Sequence, residues 1–401
     1  MTLVLSDLFP DIPTIPDQRK IRLERSIQGL LTRCLTSMDD SLPFIITGDI
    51  PAMWLRDSTW QVKPLLRSNH PDIKQLLTNI SKTQVKLFQI DPYANAYNPE
   101  PNGNCWHKDF EDQSPWVFER KFELDSWASI LYLARKIYET HNITEHFNEE
   151  FTQAVSLMLE LARKEQHHDP ESYVFYRPNE VTHDSLSHLG RGAPTGYTGM
   201  IYSGFRPSDD ACVFNYHVPS NLFFANELER LPISGLQQEA TLIAGEIRTG
   251  IENYAIQNGI YAYEVDGLGN SLFIDDANVP SLLSLPYLEV LGVNDALYKE
   301  TRKFILSKSN PYYFTGKLAQ GIGSQHTPHN HVWPISIAIQ GLTTDDVSER
   351  MSLIELLEST DAKTGYMHES FLVDDDAVFT RGWFSWADMT YLDLVLSTYE
   401  M

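Results

Sequence analysis

The segment WASILYLARKIY, residues 127–138, carries the pattern that decides the fold. Its apolar side chains recur three and four residues apart, a spacing that places them along one face of an α-helix. The same spacing returns at residues 27–38, 151–162 and 240–251, and in weaker form near residues 58–68, 71–90, 208–229, 280–291, 294–308, 333–341, 346–358 and 384–399. Alternation typical of a strand is rare, and residues 259–265 show it best. The sequence therefore predicts an all-α protein of roughly a dozen helices.

Helices paired by loops over this length favour an α/α toroid, in which hairpins close into two concentric rings. The alternative is a multi-helix bundle with an inserted region of β-structure and loops. No Ser/Gly-rich linker divides the chain, so residues 1–401 are predicted to form a single domain. Residues 1–16 are predicted to be an extended arm, because three prolines fix the backbone there and remove hydrogen-bond donors.

Four connecting segments are long and rich in aromatic and charged residues: 91–123, 166–210, 310–332 and 360–383. Long loops that persist in a compact helical domain are commonly functional. In a toroid such loops meet over one end of the inner ring, so we expect the pocket there.

The composition excludes several classes of partner. Lys and Arg total 31 against 54 Asp and Glu, a formal charge of −23. Such a surface repels nucleic acid and anionic lipid, so we expect neither as a partner. Three widely spaced cysteines form no disulfide framework, and no apolar run is long enough to span a bilayer. A cytoplasmic protein is predicted.

Residues 51–60, PAMWLRDSTW, combine Trp54 and Trp60 with the charged pair Arg56 and Asp57. Aromatic faces stack on the C–H side of a pyranose, and charged groups hold its hydroxyls, so the segment fits a sugar-binding floor. It fits equally a structural Arg–Asp pair that braces a helix start, with the tryptophans in the core. The residues alone leave both interpretations open.

The segment SGFRPSDDA, residues 203–211, places Arg206 before two adjacent carboxylates, Asp209 and Asp210. Pro207-Ser208 followed by acids indicates a helix start, where the acids would complement the dipole. Adjacent carboxylates face different directions, so a catalytic partner should come from elsewhere in the chain. Glu369, in a loop flanked by aromatics, could supply it, since glycoside hydrolysis needs one protonated and one ionised carboxyl group.

His326, His329 and His331 form the clearest candidate metal group. Pro328 argues against a regular strand that would direct two of these histidines to one face, and no recognised ligand motif surrounds them. We therefore predict no metal and no cofactor, with a histidine hydrogen-bonded to the ligand instead. Arg120 and Asp125 fit either a helix cap or a brace for the pocket.

Four segments, residues 49–58, 203–211, 367–371 and 383–387, together resemble glycoside hydrolase family 125. They occur in family order and span nearly the whole chain. The resemblance implies an (α/α)6 barrel and an exo-acting α-1,6-mannosidase that inverts the anomeric configuration without a metal. It also implies a mannose-containing oligosaccharide or N-glycan fragment as the substrate.

The resemblance implies roles for individual residues as well. The general acid is Asp209 or Asp210, the base is Glu369, and Arg56 and Asp57 hold the terminal mannose. Further substrate contacts are expected from Trp54, Arg206 and His326. The alternatives are another glycosidase or a phosphorylase on the same toroid, a non-catalytic scaffold, and a metal-dependent hydrolase that uses the histidine segment.

Overall fold

The computed structural model of the chain describes residues 3–38, 42–109, 112–169, 171–178 and 181–401. Its helices are α1 (Leu5–Leu8), α2 (Asp17–Gly29), α3 (Leu55–Val62), α4 (Pro71–Ile90), α5 (Leu124–His141), α6 (Glu149–His167), α7 (Ser187–Gly190), α8 (Val218–Glu229), α9 (Gln237–Gly250), α10 (Ala296–Ile305), α11 (Pro334–Leu342), α12 (Val347–Ser359) and α13 (Ser385–Tyr399). Its strands are β1 (Leu35–Met38), β2 (Leu42–Ile45), β3 (Met53–Trp54), β4 (Ala96–Tyr97), β5 (Val117–Glu119), β6 (Tyr216–His217), β7 (Ile256–Gln257), β8 (Ile260–Tyr261), β9 (Glu264–Val265), β10 (Ser271–Leu272), β11 (Tyr313–Thr315), β12 (Gln320–Ile322), β13 (His331–Val332), β14 (Ser370–Leu372) and β15 (Asp375–Thr380).

Five helices, α3, α5, α8, α11 and α13, are buried on most or all sides. A helix surrounded by protein needs apolar residues all round, which weakens the 3.6-residue periodicity in its sequence. The patterns at 333–341 and 384–399 are weak for this reason. Helices α4, α6 and α9 keep polar outer faces and a clear periodicity.

The buried helices pack against one another, with α3 between α5 and α13, α8 against α5, and α11 against α13. The more exposed helices cover them: α4 lies on α5, α9 on α8, and α12 on α11 and α13. One large hydrophobic core joins these layers.

The strands form short antiparallel ladders of two or three members. These ladders lie just before the buried helices: β3 runs into α3, β6 into α8, and β13 ends two residues before α11. They fix the residues at the helix starts, and those at the starts of α3 and α11 include residues that line the cavity described below.

Several predicted elements differ from the structure. Residues 280–291 form successive turns instead of a helix, because the Asp275 carboxylate accepts the amides of Leu282 and Leu283 and Pro286 removes a donor. The helix predicted over 208–229 begins only at Val218. The helix predicted over 27–38 starts earlier, as α2, and continues as a π-helical turn over Leu30–Cys34. Strand β1 follows directly.

The predicted strand over 259–265 divides into β8 and β9, which pair with different partners. The predicted extended arm contains one turn of helix, α1, because Leu5 and Leu8 are buried against the core. Met1 and Thr2 of that arm lie outside the described residues. None of the helices in the described ranges combines the length and apolar character needed to cross a bilayer.

Candidate active site

A cavity of about 360 Å³ opens next to the start of α3. Each of the four long connecting segments contributes to its wall, and the residues involved are Trp106, His107, Glu119, Lys121, Arg177, Asp184, Pro207, Ser208, Asp209, His326, Glu369 and Arg381. The remaining wall comes mainly from residues 47–57, 333 and 384–386. The cavity therefore gathers side chains that lie more than 300 residues apart in sequence.

Arg56 lies in the first turn of α3 and is buried at the centre of a group of carboxylates. Its Nη1 donates to Glu123 at 2.5 Å and to Asp125 at 3.3 Å. Its Nη2 donates to Asp209 Oδ1 at 3.2 Å, and its Nε lies 3.5 Å from Asp57 Oδ2. Four acids thus contact one guanidinium.

The excess of carboxyl groups around Arg56 shifts their pKa values. Burial raises the pKa of Asp57 to about 6 and raises the pKa values of Glu123 and Asp125, despite the charge of Arg56. Burial also opposes ionisation of Asp209, but Arg56 and a hydrogen bond from Glu123 lower its pKa to about 2. Of these two hydrogen-bonded carboxyls, Glu123 therefore retains the proton.

The two tryptophans of the 51–60 segment have different surroundings. Trp54 lines the cavity, and its indole Nε1 has no hydrogen-bond partner within the described part of the chain. Trp60 is a core residue that packs against the rings of Tyr132, Phe223 and Tyr287. The structure thus assigns one tryptophan to each of the two alternatives that the sequence left open.

Residues 205–211 form a tight loop and not the predicted helix start. A bridge between Phe205 and Ala211 closes the loop, and the Arg206 amide donates to the Asp210 carbonyl at 2.7 Å. Asp209 adopts a left-handed backbone conformation, φ 65°, which aspartate tolerates better than most residues. This turn separates the directions of the two adjacent carboxylates.

Asp209 faces the cavity with 21% of its side chain exposed, whereas Asp210 is only 1% exposed. Asp210 instead lies 3.3 Å from His326 Nδ1 and accepts a hydrogen bond from the Ser208 hydroxyl. The structure therefore brings Asp209, and not Asp210, into the cavity wall.

His326 is the one histidine of its segment among the described residues that line the cavity. Burial lowers its pKa, but the hydrogen bond and charge of Asp210 outweigh this effect and raise the pKa to about 9. The side chain is therefore an imidazolium at neutral pH. His329 stacks edge-on against Phe314, and His331 belongs to β13. Within the described ranges, no three His, Cys, Asp or Glu side chains group as a metal site.

Arg206 is buried with its Nε 2.6 Å from Glu264 Oε1, and it is not among the described residues that line the cavity. The same carboxylate accepts the amides of Val213 and Phe214. Arg206 thus braces the loop that carries Asp209 from behind. The structure places this predicted substrate contact outside the cavity wall, with its buried charge paired to Glu264.

Glu369 and Arg381 meet through a hairpin. Strands β14 and β15 pair Ser370 with Thr380, so the residues just outside that pair face each other. Arg381 Nη1 lies 3.6 Å from Glu369 Oε1, and its Nε donates to Asp49 at 2.9 Å. Both side chains line the cavity.

Several residues of the site were missed at the sequence level. Lys121 lies 2.8 Å from Asp184 and 3.4 Å from Glu119, and it donates to the Asp209 carbonyl at 2.8 Å. Arg177 completes this group through Asp184. The charged run at 119–125 was the available signal, but its strong helix-start character masked it.

Within that run, Asp125 binds Arg56 and so braces the site. Arg120 is turned instead toward Asp91, at 2.6 Å.

Comparison with known proteins gives consistent matches. The family model described as metal-independent alpha-mannosidase (GH125) matches residues 19–396. A Streptococcus pneumoniae protein, solved as a metal-independent alpha mannosidase in a non-productive complex with alpha-1,6-mannobiose, is 40% identical, with a TM-score of 0.91 over 95% of this chain and 94% of that one.

Two further proteins are similar to this chain. The meiotically up-regulated gene 157 protein of Schizosaccharomyces pombe is 38% identical over 391 residues, which cover 89% of this chain and 76% of that protein. A bacterial glucoamylase complexed with acarbose is only 12% identical, over 94% of this chain and 55% of that one, with a TM-score of 0.56. The glucoamylase match concerns the fold alone.

Proposed function

This chain belongs to the GH125 family of metal-independent α-mannosidases, and we propose that it removes terminal α-1,6-linked mannose from oligosaccharides with inversion of configuration. The observation that carries the proposal is the meeting of Asp209 and Glu369 in one cavity with Arg56 and Asp57. Glycoside hydrolysis needs such a pair of carboxyl groups from distant parts of the chain. The α-1,6-mannobiose bound by the 40% identical relative supports the linkage.

Asp209 is the proposed general acid, because its carboxyl reaches the cavity and that of Asp210 does not. Glu123 supplies the proton that an ionised Asp209 lacks. The two carboxyls share a proton that resides on Glu123, whose side chain is fully buried. When a glycosidic oxygen approaches Asp209, the shared proton passes through Asp209 to the leaving oxygen.

Glu369 is the proposed general base. It takes a proton from a water that attacks the anomeric carbon on the face opposite the leaving group, which converts an α-linkage into β-mannose. Inverting enzymes hold their two carboxyls roughly 6.5–9.5 Å apart so that this water fits. Arg381, 3.6 Å from Glu369, lines the same cavity and holds this carboxylate in its wall.

The terminal mannose is held by groups at the start of α3. Arg56 and Asp57 offer a charged donor and acceptor, and Trp54 and Trp386 offer aromatic faces. The imidazolium of His326 adds a second charged donor. A neutral, hydroxyl-rich ligand suits this set.

We also propose the finer description of the fold, an (α/α)6 barrel formed by residues 1–401 as one domain. Five buried helices and the turn-rich segment 281–288 would form the inner ring, with the more exposed helices outside. Three free cysteines, of which Cys34 and Cys212 are buried, support a reducing compartment such as the cytoplasm.

The deciding experiment follows the hydrolysis of α-1,6-mannobiose by proton NMR. We expect β-mannose as the first product, before mutarotation. Initial α-mannose would overturn inversion, and no hydrolysis of this disaccharide would overturn the linkage. A parallel reaction with inorganic phosphate tests the phosphorylase alternative, which requires mannose 1-phosphate to form.

A further inference from the structure

We infer that Trp106 is a stacking platform for the sugar on the leaving-group side of the cleaved bond, and that it selects substrates in which a second sugar follows the terminal mannose. The inference rests on the proposed function and extends it to a residue outside the acid–base machinery. It is carried by the exposure and support of one aromatic side chain.

Trp106 lines the cavity although 58% of its surface is exposed. Leaving a large indole in water forgoes the stabilisation that burial would provide. Its ring contacts Phe118 edge-on at 5.4 Å, and Phe118 contacts Trp54 edge-on at 5.6 Å. A row of three rings thus leads from the cavity floor to its rim, and Trp106 is the outermost.

The segment that carries Trp106 is held in place by its backbone. Asn98 is buried, and its side-chain amide donates to the carbonyls of Asn104 and Pro115. The Gly103 amide also donates to the Pro115 carbonyl at 3.0 Å. Beneath the ring lies a small apolar cluster, separate from the main core, that includes Trp54 and Phe118. A platform fixed in this way loses little conformational entropy when it binds a ligand.

The position of Trp106 assigns it to the leaving group. Arg56, Asp57 and Glu369 are each less than 10% exposed, so the terminal mannose occupies their end of the cavity. The rest of the substrate must then leave past the exposed side, where Trp106 and its neighbour His107 lie. An indole face there meets the C–H side of a pyranose.

The test compares two substrates that share a terminal mannose. α-1,6-Mannobiose has a sugar as its leaving group, whereas α-mannosyl fluoride has only a fluoride ion. We expect Trp106→Ala to lower the ratio of kcat/KM for mannobiose to kcat/KM for the fluoride by about tenfold, a typical value for the loss of one aromatic contact. In Trp106→Phe the ratio should stay close to the wild-type value, and in Trp106→Leu it should fall as far as in Trp106→Ala.

The matched control is Tyr197→Ala, because Tyr197 is 55% exposed and lies outside the cavity. It should leave the ratio unchanged. An unchanged ratio in Trp106→Ala, or equal ratios in the Phe and Leu variants, would overturn the inference. Failure of the proposed function is distinguishable, because the wild-type protein itself would then not hydrolyse mannobiose.

Discussion

Two buried clusters in this protein are built from the same kinds of charged residue but have opposite charges in excess. In the cavity, one cation, Arg56, contacts four carboxylates. In the helical core, one carboxylate, Asp393, contacts two cations, with Lys63 Nζ at 2.7 Å and Arg67 Nη2 at 2.9 Å. Tyr287 donates a further hydrogen bond to Asp393 at 3.0 Å.

The difference lies in which charge is in excess. Two cations hold the pKa of Asp393 well below its usual range, although burial opposes this and also lowers the pKa of Lys63. The Asp393 carboxylate is therefore an ionised brace between α3, its 3-10 extension Lys63–Arg67 and α13. Around Arg56 the acids outnumber the cation, and burial raises the pKa values of three of them. Buried acid without matching base retains protons, and retained protons are what acid catalysis uses.

The largest expected effect is on catalysis. Glu369→Gln and Asp209→Asn should each lower kcat/KM for α-1,6-mannobiose by about 10²–10⁴-fold, since each removes one proton-transfer group. Glu369→Gln should change the free energy of unfolding little, and Asp209→Asn should lower it less than Asp393→Asn does, because three other acids still contact Arg56. Glu355→Gln, at an exposed helix position, is the matched control. Near-normal turnover in either site variant would refute its assigned role.

Substitution of Asp393 should have the opposite effect and change stability without changing catalysis. Asp393→Asn should lower the free energy of unfolding by about 3 kcal/mol, because it leaves two partly buried cations without their counter-charge. Urea denaturation followed by circular dichroism measures this loss, and the folded fraction should keep its activity.

The destabilisation by Asp393→Asn should also depend on pH. The pKa of Asp393 is lower in the folded than in the unfolded chain, so its contribution is present above about pH 4 and is lost as the pH falls below that value. The difference in unfolding free energy between wild type and variant should therefore shrink at acid pH. A difference that stayed constant down to pH 2 would contradict the ionised brace.

Substitution of Glu123 tests the proton shared with Asp209. Glu123→Gln should lower kcat/KM about tenfold or more, because Asp209 loses the partner that retains the proton. Unfolding free energy should stay within about 1 kcal/mol of wild type, since three carboxylates still contact Arg56. A loss of stability as large as that of Asp393→Asn would show that the two clusters do not differ as described.

The smallest effect concerns His326. Asp210→Asn should bring its pKa from about 9 toward the ordinary histidine value of about 6.5, because it removes the adjacent negative charge. The shift is measured by NMR titration of histidine-labelled protein. An unchanged pKa would mean that Asp209 or Glu369, and not Asp210, maintains the imidazolium.

Much of the helical structure could be predicted from the sequence. The helix expected at 71–90 is present with those bounds, and the 127–138 pattern lies inside α5. The helix predicted over 280–291 was wrong, because the Asp275 carboxylate accepts backbone amides of this segment and so competes with helix formation. Asp275 precedes the segment, so the periodicity of residues 280–291 gives no sign of it.

The candidate site was partly predictable. Local charge beside aromatics made Arg56, Asp57, Asp209 and Glu369 candidates among alternatives, and the resemblance to the family implied their roles. Glu123 and Lys121 escaped because their roles depend on contacts with residues far from them in sequence. The choice between Asp209 and Asp210 depended on the tight loop over residues 205–211, in which Asp209 has a left-handed backbone and Asp210 contacts Ser208 and His326.

The sequence by itself determined most of the helices, which family the chain resembles and which acids are candidates, because periodicity and local motifs are properties of neighbouring residues. The tertiary structure alone decided which aspartate faces the cavity, which tryptophan is core, and which buried charges are matched. Those outcomes depend on burial and on partners brought together from distant segments, and the ionisation of a buried acid is set by that environment.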